Sequence, residues 1–455
     1  MHHKLDGIHH VVRAYGLGVS WDPYPTTLDP GLEAGERSTV DLSVNADHVD
    51  VDRLDVRTRA VDVARERAQT VGVRHAHHLN SAGSALPTVA VVDEVVAHLR
   101  REETEGGYEA AAAAAARVEA VYAGAARLLG ARPEEIALSD NASTGLRVVV
   151  DALRLDSTAR ILVARSTYVS HALHLLSLAN ETGAELVLLP NDSHGSVDLD
   201  YLEQALTGGP RDIVCVAQIP TSSGLVEPVR EIGDLTRRTG ALYLLDATQS
   251  VGQLRVDVDA IGCDALVTTG RKFLRGPRGT GFAYLRSSLL ERLTPTAPDV
   301  RGAVWTAARE WSLSPTARRF ETWESSVAGR LGLGMALTQL LDRGIDATAE
   351  YLVASGARLR RGLAAIDRVT VQDPPASHSG IVTFTVDGLA SDVVSRRLAV
   401  RGVRTVSVPA SHGQWDLGLR GVASVVRASV HVYNNDADHE ALLGAVAEIA
   451  GGVNP

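Results

Sequence analysis

The chain has 455 residues, 45% of them hydrophobic, which is enough for two domains and a large core. The 55 acidic residues outnumber the 45 basic ones, and no basic stripe with interleaved aromatics occurs, so we do not expect a nucleic acid partner. The opening MHHKLDGIHH lacks the apolar core of a signal peptide, and no uninterrupted apolar segment reaches membrane-spanning length, so we expect a soluble, cytoplasmic protein with no membrane partner.

The sequence predicts four parts. Residues 1–75 show no clear period, several Pro and Gly breaks and an acidic run, which predicts an N-terminal extension, poorly packed or partly disordered, with one helix near 57–69. Residues 76–105 are predicted to join a small domain, residues 106–305 to form a large domain, and residues 306–455 to form the small α+β domain. Within the large domain, apolar strands alternate with helical segments, which predicts an α/β fold with a mostly parallel sheet.

The first stretch with possible chemistry is LSDNASTGLRVVVDAL, residues 138–153, which predicts a short strand, a turn and an amphipathic helix. The free N–H groups at the start of such a helix, with Ser143 and Thr144, form a ready phosphate site. An ordinary N-cap by Asn141 or Ser143, with no ligand, explains the same pattern. The stretch alone does not separate the two interpretations.

An acidic residue follows a predicted buried strand in GALYLLDATQSVGQ, residues 240–253. The apolar run 241–245 is typical of a parallel strand buried on both faces, and Asp246 comes directly after it. Open α/β sheets bind their ligands at the carboxyl ends of such strands. Asp246 therefore either holds a ligand or caps a helix that begins near Thr248 or Gln249.

Lys272, in VTTGRKFLRGPRGTG, is one of only two lysines in the chain, the other being Lys4. A buried lysine near other cations can become a neutral amine that forms an imine with an aldehyde, which an arginine cannot do. Arg271 and Arg275 flank Lys272, and we expect their charges to lower its pKa. A solvated basic loop that happens to hold one lysine is the alternative.

Asp246 and Lys272 together favour a site for pyridoxal 5′-phosphate (PLP), because a carboxylate can keep the pyridine nitrogen protonated while the amine binds the aldehyde. With the turn at 138–153 and PTSSG at 220–224, they occur in the order of a known family. Over about residues 76–450 the chain resembles the class V aminotransferases, which are fold-type I PLP enzymes. The resemblance implies that the α/β fold is a mostly parallel seven-stranded sheet in a large PLP-binding domain, with a small α+β domain at the C-terminus.

The resemblance assigns roles around the cofactor ring. Lys272 matches the lysine that forms the imine with PLP and acts in catalysis. Asp246 matches the carboxylate under the pyridine nitrogen. Gln249 matches the side chain near the phenolic oxygen of the ring, and Thr221 stands where many members place an asparagine near the same oxygen.

Phosphate binding is implied at two places. The backbone N–H of Ala142 and the hydroxyl of Ser143 match the family's phosphate turn. Thr269 and Arg271 replace the more usual serine and histidine before the lysine, and both can still donate to a phosphate. Arg271 would add a permanent positive charge.

Two further residues are matched. Tyr168 falls near the residue that stacks on the cofactor, with His171 as a rival; the alternative for Tyr168 is a half-buried core aromatic. Arg427, in VVRASVHVYNN, resembles the family's R-x-S-x-x-x-Y-N strand and would bind the carboxylate of an amino acid substrate as a bidentate fork. The alternative for Arg427 is a surface arginine on an edge strand.

The two cysteines, Cys215 and Cys263, suggest neither a disulfide framework nor a metal cluster, and we expect no metal. Cysteine desulfurases of this family need a thiolate on a loop before the carboxylate-binding arginine. The corresponding stretch, TVSVPASHGQWDLGLRG at 405–421, contains no cysteine. Persulfide chemistry on the enzyme is therefore not expected.

A nearer resemblance lies in TGRKFLRGPRGTGF, IPTSSGLVEPV and RRFETWESS, which look like the hercynylcysteine sulfoxide lyases of ergothioneine biosynthesis. This resemblance implies a PLP-dependent carbon–sulfur lyase that acts by β-elimination, with Lys272 as the base and with pyruvate and ammonia as products. Arg319, Glu324 and His412 are candidate substrate contacts. Family likeness also implies a homodimer with a small-molecule amino acid substrate.

Other functions share the same core chemistry. A class V aminotransferase, or an epimerase similar to isopenicillin N epimerase, in secondary metabolism also acts at the α-carbon of an amino acid, and the fold does not choose among these reactions. A catalytically silent binding protein is the alternative from another class. Lys272, Asp246 and Arg427 together argue against it.

Overall fold

The computed structural model describes residues 60–209 and 211–452. Its α-helices are α1 (Val63–Ala68), α2 (Ser81–Ser84), α3 (Val89–Glu105), α4 (Gly107–Ala113), α5 (Ala115–Leu129), α6 (Ala142–Ala152), α7 (Val169–Thr182), α8 (Leu199–Ala205), α9 (Val229–Thr239), α10 (Val258–Ile261), α11 (Ser287–Leu290), α12 (Val327–Arg343), α13 (Ile345–Ala364), α14 (Ser391–Val400) and α15 (Asp436–Gly451). Its strands are β1 (His77–His78), β2 (Ile136–Ser139), β3 (Arg160–Val163), β4 (Glu185–Leu188), β5 (Asp212–Ala217), β6 (Leu242–Asp246), β7 (Ala265–Thr269), β8 (Gly281–Leu285), β9 (Ala303–Ala307), β10 (Glu310–Leu313), β11 (Val369–Val371), β12 (Ile381–Val386), β13 (Val403–Arg404), β14 (Val406–Pro409) and β15 (Ser424–Ser429). Short 3₁₀ helices lie at Val71–Arg74, Pro133–Glu135, Ala317–Phe320 and Ala410–His412, and a π-helical turn at Gln414–Gly418.

A seven-stranded sheet in the order β2-β8-β7-β6-β5-β3-β4 forms the centre of the fold. Its neighbouring strands are parallel except for β8, which runs antiparallel to β2 and β7. The inner strands are continuous apolar runs because both faces are covered: Val214 and Val216 of β5 face one core cluster, and Ile213 and Cys215 face the other. The predicted α/β fold class with a mostly parallel seven-stranded sheet is confirmed.

A second sheet, in the order β11-β12-β15-β14, is antiparallel throughout and packs with α13, α14 and α15 around Phe384 and Val426. β1 pairs in parallel with β13. However, α3 packs against α12, and α12 contributes Leu337 to the core of the large sheet. We therefore propose that the small domain begins after α12 rather than at residue 306.

The predicted N-terminal extension falls partly within the described residues. α1 corresponds to the single helix predicted there. Glu66, in α1, is only 9% exposed and forms ion pairs with Arg275 and Arg343. Poor packing is therefore a wrong prediction for residues 60–75, because a buried carboxylate ties them to the rest of the chain, whereas residues 1–59 lie outside the described residues.

The stretch of residues 81–105 is long and apolar enough, by length and composition alone, to cross a membrane. Pro87 separates α2 from α3 within this stretch, and α3 packs against α12 of the same chain. We interpret α3 as a helix on the outside of the domain, since only 28% of the apolar stretch is buried.

Candidate active site

Six strands end at one edge of the central sheet. β2, β3, β4, β5, β6 and β7 run in the same direction, so their carboxyl ends lie together. Asp246 is the last residue of β6, and it pairs in register with Ala217, the last residue of β5. Thr269 ends β7, and the turn that carries Lys272 follows it. This is the edge at which open α/β sheets bind their ligands.

Lys272 is held in a closed turn and is 7% exposed. The Arg275 N–H donates to the Lys272 carbonyl at 2.9 Å, and the Gly276 N–H donates to the Gly270 carbonyl at 2.7 Å. His431 donates from Nε2 to the Phe273 carbonyl at 3.1 Å, a tautomer inferred from the Val432 N–H that donates to His431 Nδ1. A solvated basic loop is therefore the wrong interpretation of this segment.

The amine of Lys272 has an altered affinity for protons. Burial lowers its pKa to about 7, the charges of Arg427 and Arg271 add to this effect, and Asp246 opposes it. Arg275, which was expected to contribute, instead forms its ion pair with α1. The amine is thus substantially unprotonated at neutral pH, as imine formation requires.

This pKa leads to a prediction that needs no catalysis. In cofactor-free protein, we expect acylation of Lys272 by a small amine-reactive acylating reagent to increase with pH, with a midpoint near pH 7. This midpoint is about three pH units below that of an ordinary lysine, because the lowered pKa leaves the amine unprotonated above pH 7. Mass spectrometry of the peptide that contains Lys272 measures the extent, with Nα-acetyl-lysine in the same solution as the reference. A midpoint near that of the reference would contradict the buried environment.

Asp246 is a buried carboxylate held by two donors. The Thr248 N–H donates to Oδ1 at 2.9 Å, and His171 Nδ1 lies 3.1 Å from Oδ2. Burial alone would raise the pKa of this carboxyl, but the charge and hydrogen bond of His171 and the bonds from Thr248 outweigh burial and leave the pKa lowered. Asp246 is therefore ionised at neutral pH. No helix begins at Thr248 or Gln249, so the helix-cap alternative is wrong.

Arg427 lies on β15, between β12 and β14, and is 5% exposed, so the edge-strand alternative is wrong. Its NH1 donates to the Thr221 hydroxyl at 2.6 Å and to the Thr221 carbonyl at 3.0 Å, while its Nε has no hydrogen-bond partner. Within residues 60–209 and 211–452, no carboxylate forms an ion pair with Arg427. A buried guanidinium without an acidic partner is suited to an anion from outside the chain.

Tyr168 lies beside the amine, and Gln249 follows Asp246 in the chain. The ring of Tyr168 has its centre 5.9 Å from Lys272 Nζ and meets His171 edge to face. Gln249 is buried; its Nε2 donates to the Ala82 carbonyl at 3.2 Å, and its Oε1 has no hydrogen-bond partner. The stacking role of Tyr168 stays a prediction, whereas its rival His171 contacts Asp246.

The predicted phosphate donors are arranged in two ways. Asn141, not Ser143, caps α6 by accepting from the Thr144 N–H at 2.9 Å, so Ala142 and Ser143 stand in the first turn of the helix. Thr269 donates to the Thr280 carbonyl at 3.2 Å, and Arg271 donates to the Gly83 carbonyl. The first pair lies at the start of α6 and the second pair is engaged by the backbone, so the phosphate contacts of both pairs stay predictions.

Some site residues were missed by sequence reasoning. His171 was named only as a rival for stacking, yet it holds Asp246. The α2 turn supplies the carbonyls of Ala82 and Gly83 to Gln249 and Arg271. Residues 76–105 were predicted only to join the small domain, and their sequence carried no signal of these contacts.

The three candidate substrate contacts fall in different places. Arg319 donates from Nε and NH1 to three backbone carbonyls, and its role as a substrate contact stays a prediction. Glu324 lines a cavity of about 380 Å³ together with Tyr108 and Trp323. His412 is exposed, in the loop between β14 and β15.

The fold and this edge of the sheet define a lysine-dependent α/β enzyme: an amine free at neutral pH lies within electrostatic reach of an ionised carboxylate and of a buried guanidinium available to an anion. The chain belongs to the aminotransferase class-V family, whose model matches residues 77–442. The family predicted from the motifs is thus confirmed.

Individual relatives agree with this assignment. A probable cysteine desulfurase of Methanothermobacter thermautotrophicus is 28% identical over 372 residues, 80% of this chain and 92% of that protein. The apo structure of a cysteine desulfurase from Thermococcus onnurineus has a TM-score of 0.80 at 24% identity and covers 86% of this chain and 98% of its own. A cystine C–S lyase in complex with cysteine persulfide has a TM-score of 0.75 at 22% identity, covering 84% and 99%. The two structures show the fold.

The protein is accordingly an enzyme, and its cofactor is PLP. The residues present fit this group: Lys272 offers a free amine, Asp246 an ionised carboxylate, and Gln249 an unpaired buried Oε1. The first turn of α6 offers N–H groups to a phosphate. The nearer resemblance to hercynylcysteine sulfoxide lyases stays a prediction, because these relatives carry other names.

Proposed function

We propose that the protein is a PLP-dependent carbon–sulfur lyase that cleaves a cysteine S-conjugate by β-elimination, and that no cysteine thiol of the chain takes part in the reaction. The similarity to cysteine desulfurases and to a cystine C–S lyase supports cleavage next to sulfur. The observation that carries the choice of elimination is the position of the two cysteines.

Neither cysteine is placed to act as a nucleophile. Cys215 lies within β5 and Cys263 precedes β7; both are buried. Burial raises the pKa of each thiol to about 12, so neither is a thiolate at neutral pH. The loop at 405–421, which leads to Arg427, has no cysteine. Sulfur must then leave with the substrate's own substituent.

Each side chain of the site has a separate role in the proposed reaction. Arg427, backed by Thr221, binds the substrate carboxylate and so orients the α-carbon. Lys272 would take the α-proton through its free amine. Asp246 would hold a positive charge on the ring nitrogen of the cofactor. The cofactor, when bound, supplies an electron sink for the charge that develops at the α-carbon.

The bonds balance without an oxidant or reductant. As the α-proton passes to Lys272, a double bond forms between the α- and β-carbons, and the β-carbon–sulfur bond breaks with its electron pair on sulfur. A thiol leaves from a thioether, and a sulfenate leaves from a sulfoxide. The remaining 2-aminoacrylate takes up one water and gives pyruvate and ammonia.

A sulfoxide similar to hercynylcysteine sulfoxide is our preferred substrate, because of the motif likeness around Lys272. The loop at 405–421 stands where cysteine desulfurases carry their reactive cysteine. It is linked to the proposed binding site of the substrate carboxylate, because Ser222, next to Thr221, donates to Asp416 Oδ2 at 2.5 Å. This link supports a role for the loop in fitting the leaving group. We also propose a cytoplasmic homodimer, on family likeness.

The test is product analysis with a cysteine S-conjugate and its sulfoxide. Pyruvate and ammonia in equal amounts support elimination, and a Cys215→Ala, Cys263→Ala variant is expected to keep kcat/KM within about twofold, because no thiol takes part, while losing about 1–3 kcal/mol of stability. Alanine with protein-bound persulfide would instead indicate desulfuration. Accumulated pyridoxamine phosphate would indicate transamination, and loss of α-stereochemistry with an intact carbon skeleton would indicate epimerisation.

A further inference from the structure

Arg275, three residues after Lys272, combines an unusual backbone conformation with a buried charge. Its φ is +63°, in the left-handed region that favours glycine, and its side chain is buried. Its N–H closes the turn by donating to the Lys272 carbonyl at 2.9 Å. A non-glycine residue keeps such a conformation only where its surroundings over-determine it.

The surroundings that hold Arg275 lie mostly outside the turn. Nε donates to the Leu86 carbonyl at 2.8 Å, NH1 to Glu66 Oε2 at 2.7 Å, and NH2 to Thr70 Oγ1 at 2.6 Å. The guanidinium also lies 5.0 Å from the centre of the Tyr433 ring. All three nitrogen atoms of the Arg275 guanidinium thus have a hydrogen-bond partner.

Glu66 is the carboxylate of this arrangement, and it is shared. Its Oε1 lies 2.8 Å from NH1 of Arg343, at the end of α12. Within the part of the chain that the structure describes, no other carboxylate pairs with Arg275. The family model begins only at residue 77, so the segment that carries Glu66 and Thr70 is an addition to the matched region.

We propose that Glu66 is a positioning residue for Lys272: by binding Arg275 it fixes the turn in which the amine is held. The segment 62–70 then supports the active site through its contacts with Arg275. This proposal rests on the role of Lys272 toward PLP and holds for any reaction that follows. Its failure is therefore distinct from a failure of the carbon–sulfur lyase assignment.

Two matched substitutions in the holoenzyme separate positioning from general stability. Glu66→Gln removes the carboxylate from both arginines, whereas Arg343→Gln breaks the other ion pair of Glu66 and leaves Arg275 bound. The readout is the pH midpoint of the visible absorbance of the lysine-bound cofactor, measured without substrate. The charged groups that bear on the Lys272 amine, Arg427, Arg271 and Asp246, are unchanged in both variants, as is Tyr168 beside it.

We expect Glu66→Gln to move the midpoint upward by about one pH unit, because a loosened turn admits water and favours the protonated nitrogen. A fall in kcat/KM of about tenfold should accompany it. Arg343→Gln should lower Tm but leave the midpoint within about 0.2 units. An unchanged midpoint in Glu66→Gln, or an equal shift in Arg343→Gln, would overturn the proposal.

If Glu66→Gln does not fold, Thr70→Val gives the answer. This change removes one partner of Arg275 and keeps the ion pair, so it is the milder test. A smaller upward shift of the same midpoint supports positioning through Arg275. No shift in a folded Thr70→Val protein would contradict it.

Discussion

Lys272→Arg is expected to lower kcat by at least about 10⁴-fold and to remove the visible absorbance of covalently bound cofactor. Arginine keeps the charge but has no amine that can form an imine or take the α-proton. Lys4 is the only other lysine in the sequence, so few amines compete for the label. Borohydride reduction of the holoenzyme followed by mass spectrometry should place the cofactor on Lys272 alone.

Lys272→Ala is the matched control for folding. At this position burial lowers the pKa of an amine to about 7, so a permanently charged guanidinium is disfavoured there, and Lys272→Arg should have the lower Tm of the two variants. Both variants should lack the covalent absorbance. A yellow, covalently loaded Lys272→Arg protein would show that another group binds the aldehyde, and the assignment of Lys272 would then be wrong.

Much of the fold follows from patterns that are local in sequence. The run 241–245 is apolar because both faces of β6 are covered, and its acidic end is Asp246 because a strand terminus at this edge opens to a ligand. Lys272 was singled out because it is the only lysine after Lys4, and all other Lys or Arg positions of the chain are arginine. Composition and periodicity therefore predicted both the sheet and the central pair of the site.

The remainder depends on contacts between residues far apart in the chain. His171 of α7 meets Asp246 at the end of β6, and Glu66 meets Arg275 across 209 positions. Closeness in sequence gave one wrong prediction. Arg275 was expected to lower the pKa of Lys272 through its charge, but its left-handed backbone directs the guanidinium to Glu66. Such side-chain directions follow from tertiary packing, which no local pattern encodes.

Asp246→Asn is expected to lower kcat by about 10² to 10³-fold while leaving cofactor binding largely intact. The amide fills the same volume and can still accept from the Thr248 N–H, but it cannot hold a positive charge on the ring nitrogen. Because bonds to His171 and Thr248 keep the pKa of Asp246 below its ordinary value, the wild-type carboxylate stays charged from about pH 6 to 9. The loss in kcat should therefore be nearly constant across that range.

His171→Gln is the control that separates charge from orientation. It removes the imidazole next to Oδ2 of Asp246 but keeps the carboxylate, so we expect a loss in kcat of only about tenfold. Burial, no longer outweighed by His171, should also raise the pKa of Asp246, so that activity falls at the acid end of the pH profile. Steady-state kinetics across pH measures both effects. If Asp246→Asn were as active as the wild type, the carboxylate would have no part in activating the ring, and the chemistry at Lys272 would need another source of charge.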